Sequence, residues 1–120
     1  MKPEDKELLV RDLCARLPYE TIIQATEWAT LDTELKFGHI QRLIDGGLKL
    51  KPYLRSLSSM TEEEAVELGK LIGKASYNMM HNTDFHDLYL LLEFIYKKHF
   101  DYNRLIEKGL AIEAPKDMYK

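Results

Sequence analysis

At 120 residues, with 45% hydrophobic and 31% charged side chains, the chain has the size and composition of one globular domain. This excludes disorder over most of its length. Seventeen basic and twenty acidic residues give a formal charge of −3 with the signs interspersed. That balance leaves no electrostatic footprint for duplex DNA or an anionic membrane. The longest apolar stretch, near YLLLEFIY, holds Glu93 and is far too short to span a bilayer. A lone cysteine, Cys14, cannot close an internal disulfide, and MKPEDKELLVRD carries acids where a secretion signal needs an apolar run. The expected location is cytoplasmic, with no membrane partner.

The first predicted element is a helix. Pro3 suits a first turn, and Glu4 and Asp5 favour the positive end of the helix dipole. Leu9, Leu13 and Leu17, with Val10 and Cys14 beside them, make one apolar stripe. Lys6, Arg11, Asp12 and Arg16 fall mostly outside it, and Pro18 stops the helix. Residues 20–55 read as a small antiparallel sheet. Thr21, Ile22, Ile23 and Thr26 are β-branched. TLDTELKF alternates, with Leu31, Thr33, Leu35 and Phe37 on one side. HIQRLIDGG suits a short helical turn closed by Gly46 or Gly47, although periodicity leaves helix and strand open over 39–47. LKLKPYL alternates through Leu48 and Leu50 until Pro52, the mark of an edge strand or a strand end.

TEEE then opens a second helix. Thr61 and Glu64 have capping-box spacing, and the helix is expected from Glu62 to about residue 78. Ala65, Leu68, Ile72, Ala75 and Met79 form its stripe, with Leu71 alongside. Gly69 and Gly73, four apart, suggest the close approach of another backbone. A third helix, roughly 85–98, is apolar over most of its circumference and reads as the hub of the core. Asp101 is placed to cap a short final helix that stops at Gly109, and LAIEA is extended up to Pro115. The expected fold is α+β in a single domain: an N-terminal helix, the small sheet, two long helices and a short C-terminal helix. Phe100, Tyr102, Leu105, Ile106, Leu110 and Ile112 then form a strap that packs on the hub helix and covers a sheet edge.

DLCARLPY at 12–19, KPYLRSLSSMTEEE at 51–64 and HFDYNRLIEKGLAIEAPKDMYK at 99–120 carry a resemblance. Together these blocks resemble a family of small uncharacterised proteins abundant in gut anaerobes of the Bacteroides type, including their phages and mobile elements. The resemblance spans a little over a third of the chain and implies no activity. Family members often read LPYG, KPYLRP and FDYRGLI, where this chain has Glu20, Ser56 and Asn103-Arg104. Replacing glycine by Glu20 argues against a tight turn there, because only glycine takes positive φ freely.

The chemistry-bearing residues are sparse. His81, Asp84 and His86, with Asp87, are the ligands a zinc or iron site would use, but their spacing matches no metal motif. Cys14 and the serines sit in no nucleophile context, and no phosphate-binding glycine loop is present. No cofactor is implied. Lys97, Lys98, Phe100 and Arg104 mix cations with an aromatic ring, as single-stranded nucleic-acid binders do, although the acidity makes that partner the weaker expectation. Trp28, Tyr53, Tyr102 and Tyr119 flank the apolar stripes and are the aromatic residues expected on a partner surface. The leading expectation is a non-enzymatic accessory protein acting through protein contacts or self-association. Nucleic-acid or nucleotide binding and a small metal-dependent hydrolase are the alternatives.

Overall fold

The computed structural model describes residues 1–81 and 85–119. Helix α1 (Pro3–Arg16) starts on Pro3 with Glu4 and Asp5 in its first turn. Its buried stripe is Leu9, Asp12, Leu13 and Arg16, whereas Cys14 is exposed. Two residues expected outside the stripe are therefore inside it, and one expected inside is out. The reason is mutual satisfaction. Arg16 Nε donates to Asp12 Oδ2 at 2.6 Å and Nη2 donates to Phe100 O at 2.8 Å. Asn103 Nδ2 donates to Asp12 Oδ1 at 2.8 Å, and the guanidinium lies over the Tyr96 ring, 4.9 Å from its centroid. A charge enters a core when it is paired and hydrogen-bonded, which its residue type alone does not reveal.

Pro18 does end α1, in a single 3₁₀ turn over Leu17–Tyr19. Strands β1 (Ile22–Thr26), β2 (Thr30–Glu34) and β3 (Lys49–Leu54) form the expected antiparallel pairs, β1 lying between the other two. A two-residue strand β4 (Ile112–Glu113) adds to β3 in parallel, so the sheet is mixed, in the order β2-β1-β3-β4. Residues 39–47 are settled as helix for the most part. Helix α2 (Phe37–Ile44) ends where Gly46 takes φ +84, its N–H reaching Leu43 O and that of Gly47 reaching Arg42 O. Alternation along β1 and β3 turns Ile23, Ala25, Leu50 and Leu54 inward, onto Leu9 and Leu13 of α1 and Ile40 and Leu43 of α2. Pro52 lies inside β3, and the ladder to β4 begins only at Tyr53, so no missing N–H is felt on that side.

The final helix is absent: residues 102–109 are turns. Asp101 still does a cap's work, its carboxylate accepting from the N–H groups of Leu105 (2.8 Å) and Ile106 (3.0 Å). Arg104 at φ +57 interrupts the right-handed run and prevents a helix. The strap exists nevertheless. Leu105, Leu110 and Ala111 are buried in the main core, β4 covers the edge of β3, and Ala114 N–H donates to Leu54 O at 2.7 Å. The strap thus binds the sheet and the main core, only Phe100 of its expected residues packing on α4, against Phe94 and Ile95, while Tyr102 stays exposed.

Helices α3 (Glu62–His81) and α4 (His86–Lys97) pack on each other as an antiparallel hairpin. Thr61 and Glu64 form the expected capping box: Glu64 N–H donates to Thr61 Oγ1 at 3.1 Å, and Thr61 N–H to Glu64 Oε1 at 3.0 Å. Arg55 holds the same carboxylate, Nη1 and Nη2 donating at 2.8 and 2.7 Å, and so ties the root of α3 to β3. A second small core at this root joins Phe94, Ile95 and Phe100 to Met60, Leu68, Leu71 and Leu91. Beyond it α4 is no hub. Only Phe94 and Ile95 of α4 are buried, and Ala75 is the buried residue of α3. The hairpin projects as an arm. Extents of 51 × 30 × 23 Å and a radius of gyration of 15.6 Å exceed the roughly 14 Å of a compact chain this long. Gly69 and Gly73 face solvent with nothing within 4 Å of a built Cβ, so within the monomer no backbone approaches them.

Among the described residues, three other than glycine have left-handed backbone: Glu20 (φ 56), His99 (φ 65) and Arg104 (φ 57). The tight turn that glutamate at position 20 argued against is therefore present. Glu20→Gly and Arg104→Gly are each expected to stabilise by about 0.5–1 kcal/mol, the relieved Cβ strain less the added chain entropy. Thermal midpoints should rise by about 2–5 °C. A fall in either midpoint contradicts this account of the turns.

Candidate interaction surface

The four predicted contact aromatics divide into two kinds. Trp28 is 97% exposed in the loop between β1 and β2, and Tyr102 is exposed on the turns after α4. Tyr53 is buried, its hydroxyl donating to Asp32 Oδ1 at 2.8 Å and accepting from Gln24 Nε2. Tyr119 accepts from Ile22 N–H at 2.9 Å and donates to Tyr53 O at 2.7 Å. The structure brings only this pair together, and it fastens the strap to the sheet.

The nucleic-acid cluster is divided by burial. Lys97 and Arg104 are exposed and Lys98 is partly so, but Phe100 has no exposed surface and presents no face for a base to stack on. Of the metal residues, His81 stacks on Tyr77 and its Nδ1 lies 2.8 Å from Tyr77 O at the end of α3. His86 begins α4, and Asp84 lies outside the described residues. Among the described residues no group of three or more histidines, cysteines or acids could hold a metal ion.

A cleft of about 390 Å³ lies between the strap and the arm, lined in part by Glu20, Arg55, Glu64, Lys98, His99 and Tyr119. His99 stacks on Tyr119 with ring centroids 3.7 Å apart, and its Nδ1 is 3.3 Å from Thr21 Oγ1. Burial, helped by the charges of Arg16 and Arg55, lowers the His99 pKa to about 4. The Arg55 hydrogen bonds lower that of Glu64 to about 2, against the opposing effect of burial. Burial raises the Tyr119 phenol to about 12. These groups are fixed in the neutral (His99, Tyr119) or paired (Glu64) state, which suits a joint in the fold rather than proton transfer.

The pH dependence of stability follows. The unfolded imidazole, near 6.5, binds protons that folded His99 does not. Its contribution is complete above pH 6.5 and is lost as pH falls toward 4. His39, also lowered by burial, acts in the same direction. The Glu64 contribution is complete above about 4.5 and is lost as pH falls through about 2. Urea midpoints measured from pH 7 to 2 should therefore fall in two stages. His99→Asn, which keeps a residue tolerant of positive φ, should flatten the upper stage, and Glu64→Gln the lower. A wild-type midpoint constant between pH 6.5 and 4 contradicts the assignment to His99.

What the sequence reading missed is the arm. Val66, Ile72, Tyr77, Met79 and Met80 of α3, and Phe85 and Tyr89 at the start of α4, are all exposed, Met80 by 80%. The available signal was the pair of exposed glycines. A 20-residue helix that carries two of them, with Val66, Tyr77 and Met80 on the same side, has a second apolar face. A residue list alone does not say whether its own chain covers that face. Among the described residues no helix is long and apolar enough to cross a membrane. No protein-family model, no curated protein and no solved structure matches this chain.

Proposed function

We propose that this protein is a small cytoplasmic accessory protein that acts through protein contacts, with the α3–α4 arm as its contact surface. By resemblance, its setting is a phage or mobile element. The observation that carries the reading is the concentration of exposed apolar side chains on the arm: seven large ones fall between Val66 and Tyr89, as many as all the other described residues expose. Apolar side chains gathered in solvent on one element mark interaction sites in folded proteins, and Met and Tyr are residues that interfaces favour. The cluster around Lys97 and Lys98 gains no stacking ring from Phe100, and the histidines at the arm gather no ligand set among the described residues. Contact therefore stands ahead of the nucleic-acid and hydrolase alternatives.

The test is affinity capture from host extract, comparing the wild type with Tyr77→Glu/Met80→Glu and with Trp28→Ala. The arm variant should lose the captured partner, and the Trp28 variant should keep it. An identical set captured by all three proteins contradicts the assignment of contact to the arm.

A further inference from the structure

Helix α3 has two opposite seams. One, through Leu68, Leu71 and Ala75, packs on α4 or the small root core. The other runs Glu62, Val66, Gly69, Gly73, Ser76 and Met80, at alternating spacings of four and three, the repeat by which helices pair side by side. Every residue of this outer seam is exposed. Its centre is glycine at both positions, and a Cβ there would meet nothing in the monomer. Each glycine costs roughly 1 kcal/mol in a helix interior and gains no packing in return within one chain. Two helices crossing at such a point approach closely, and Val66 and Met80 then grip the flanks.

The charges identify the second helix. All acids of α3 fall in its first six residues: Glu62, Glu63, Glu64 and Glu67. Its lysines, Lys70 and Lys74, come after them, and no acid follows Glu67. An antiparallel copy of α3 therefore lays its lysine half over the acidic half of the first, and symmetry repeats the match. Glu64 is already held by Arg55, but Glu62, Glu63 and Glu67 are exposed and available. A parallel copy would put acid on acid and lysine on lysine. A 20-residue helix face, about 30 Å long, with its flanks, offers on the order of 600–800 Å² per copy, which approaches what a stable complex buries on each side. We infer that the partner of the outer face of α3 is a second copy of this chain, paired antiparallel across a two-fold axis at Gly69–Gly73. The two arms then lie as a four-helix layer, α4-α3-α3-α4, with the bodies at opposite ends. This inference rests on the arm being the contact surface.

Sedimentation equilibrium of the full chain from about 1 to 100 µM tests it. The wild type should reach twice the 14.1 kDa chain mass. Glu63→Lys/Glu67→Lys and Lys70→Glu/Lys74→Glu should each weaken the dimer at least about tenfold, and an equal mixture of the two should regain wild-type affinity. Gly73→Leu gives a second readout. It fills open space in the monomer, so helix propensity should hold or raise the thermal midpoint at low concentration, while the dimer is lost. A wild-type mass of 14.1 kDa throughout, or a dimer indifferent to all three changes, overturns the inference. If the monomeric protein still captures a partner through Tyr77 and Met80, self-pairing alone has failed. If the arm variant also captures as the wild type does, the contact reading has failed with it.

Discussion

A chain cut after residue 99 is expected not to fold. Phe100, Leu105 and Leu110 are buried in two different cores, and Ala111 closes the main one. Burying each of the three large side chains contributes about 1.5–3 kcal/mol as an upper bound. Together they amount to a large part of the roughly 5–15 kcal/mol by which a small domain is stable. The cut also bares the edge of β3 and removes the carbonyl of Phe100 from Arg16 and the amide of Asn103 from Asp12. Circular dichroism should show no cooperative melt above 10 °C. A shorter deletion of 115–120 removes Tyr119 but no fully buried residue, and it should lower the midpoint while keeping the transition cooperative. A melt of the 1–99 fragment like that of the full chain would remove the strap from the account.

The second large effect lies under the strap. Asp12→Ala leaves the Arg16 guanidinium with no exposed surface and no counter-ion. Its Nη1 already has no hydrogen-bond partner. Breaking one side of such a buried pair costs about 3–5 kcal/mol. The paired replacement Asp12→Leu/Arg16→Met removes both charges and keeps the volume, and it should recover most of that loss. Urea midpoints of the three proteins measure this directly. If the single and the double changes cost the same, packing volume rather than uncompensated charge sets the effect.

Where chemistry is local, the sequence was readable. Thr61 and Glu64 announced the start of α3, Pro18 the end of α1, and Gly46 the end of α2, because each feature depends on neighbours within four residues. β-Branched residues marked β1 and alternation marked β2 and β3, although Leu31 and Phe37, expected on the buried side of β2, are exposed and Phe37 opens α2; the aromatic and aliphatic content of the final stretch marked a segment that packs back. Long-range facts were hidden. Asp12 and Arg16 look like a surface pair at i, i+4 and turn inward only because Phe100 and Asn103, far along the chain, satisfy them. Asp101 looks like a helix cap and does cap, but Arg104 takes a left-handed turn that no residue scale assigns to arginine. The apolar circumference of α4 reads as the centre of a core. Periodicity records which faces are apolar, not what covers them, and here α3 covers one side while Tyr89 stands in solvent. The same limit hid the candidate site. Tyr53 and Tyr119 share a residue type with the exposed Tyr102, and only the hydrogen bonds of the strap separate structural tyrosines from exposed ones.

Oxidative footprinting of the five methionines reads the arm against the body, because Met1 is a built-in exposed control on the body while Met79 and Met80 report the arm. Met80, 80% exposed, should oxidise as fast as Met1 in dilute protein. In concentrated protein or host extract Met80 should become protected while Met1 does not. Equal oxidation of Met80 and Met1 under all of these conditions would contradict the assignment of the arm as the surface through which this protein works.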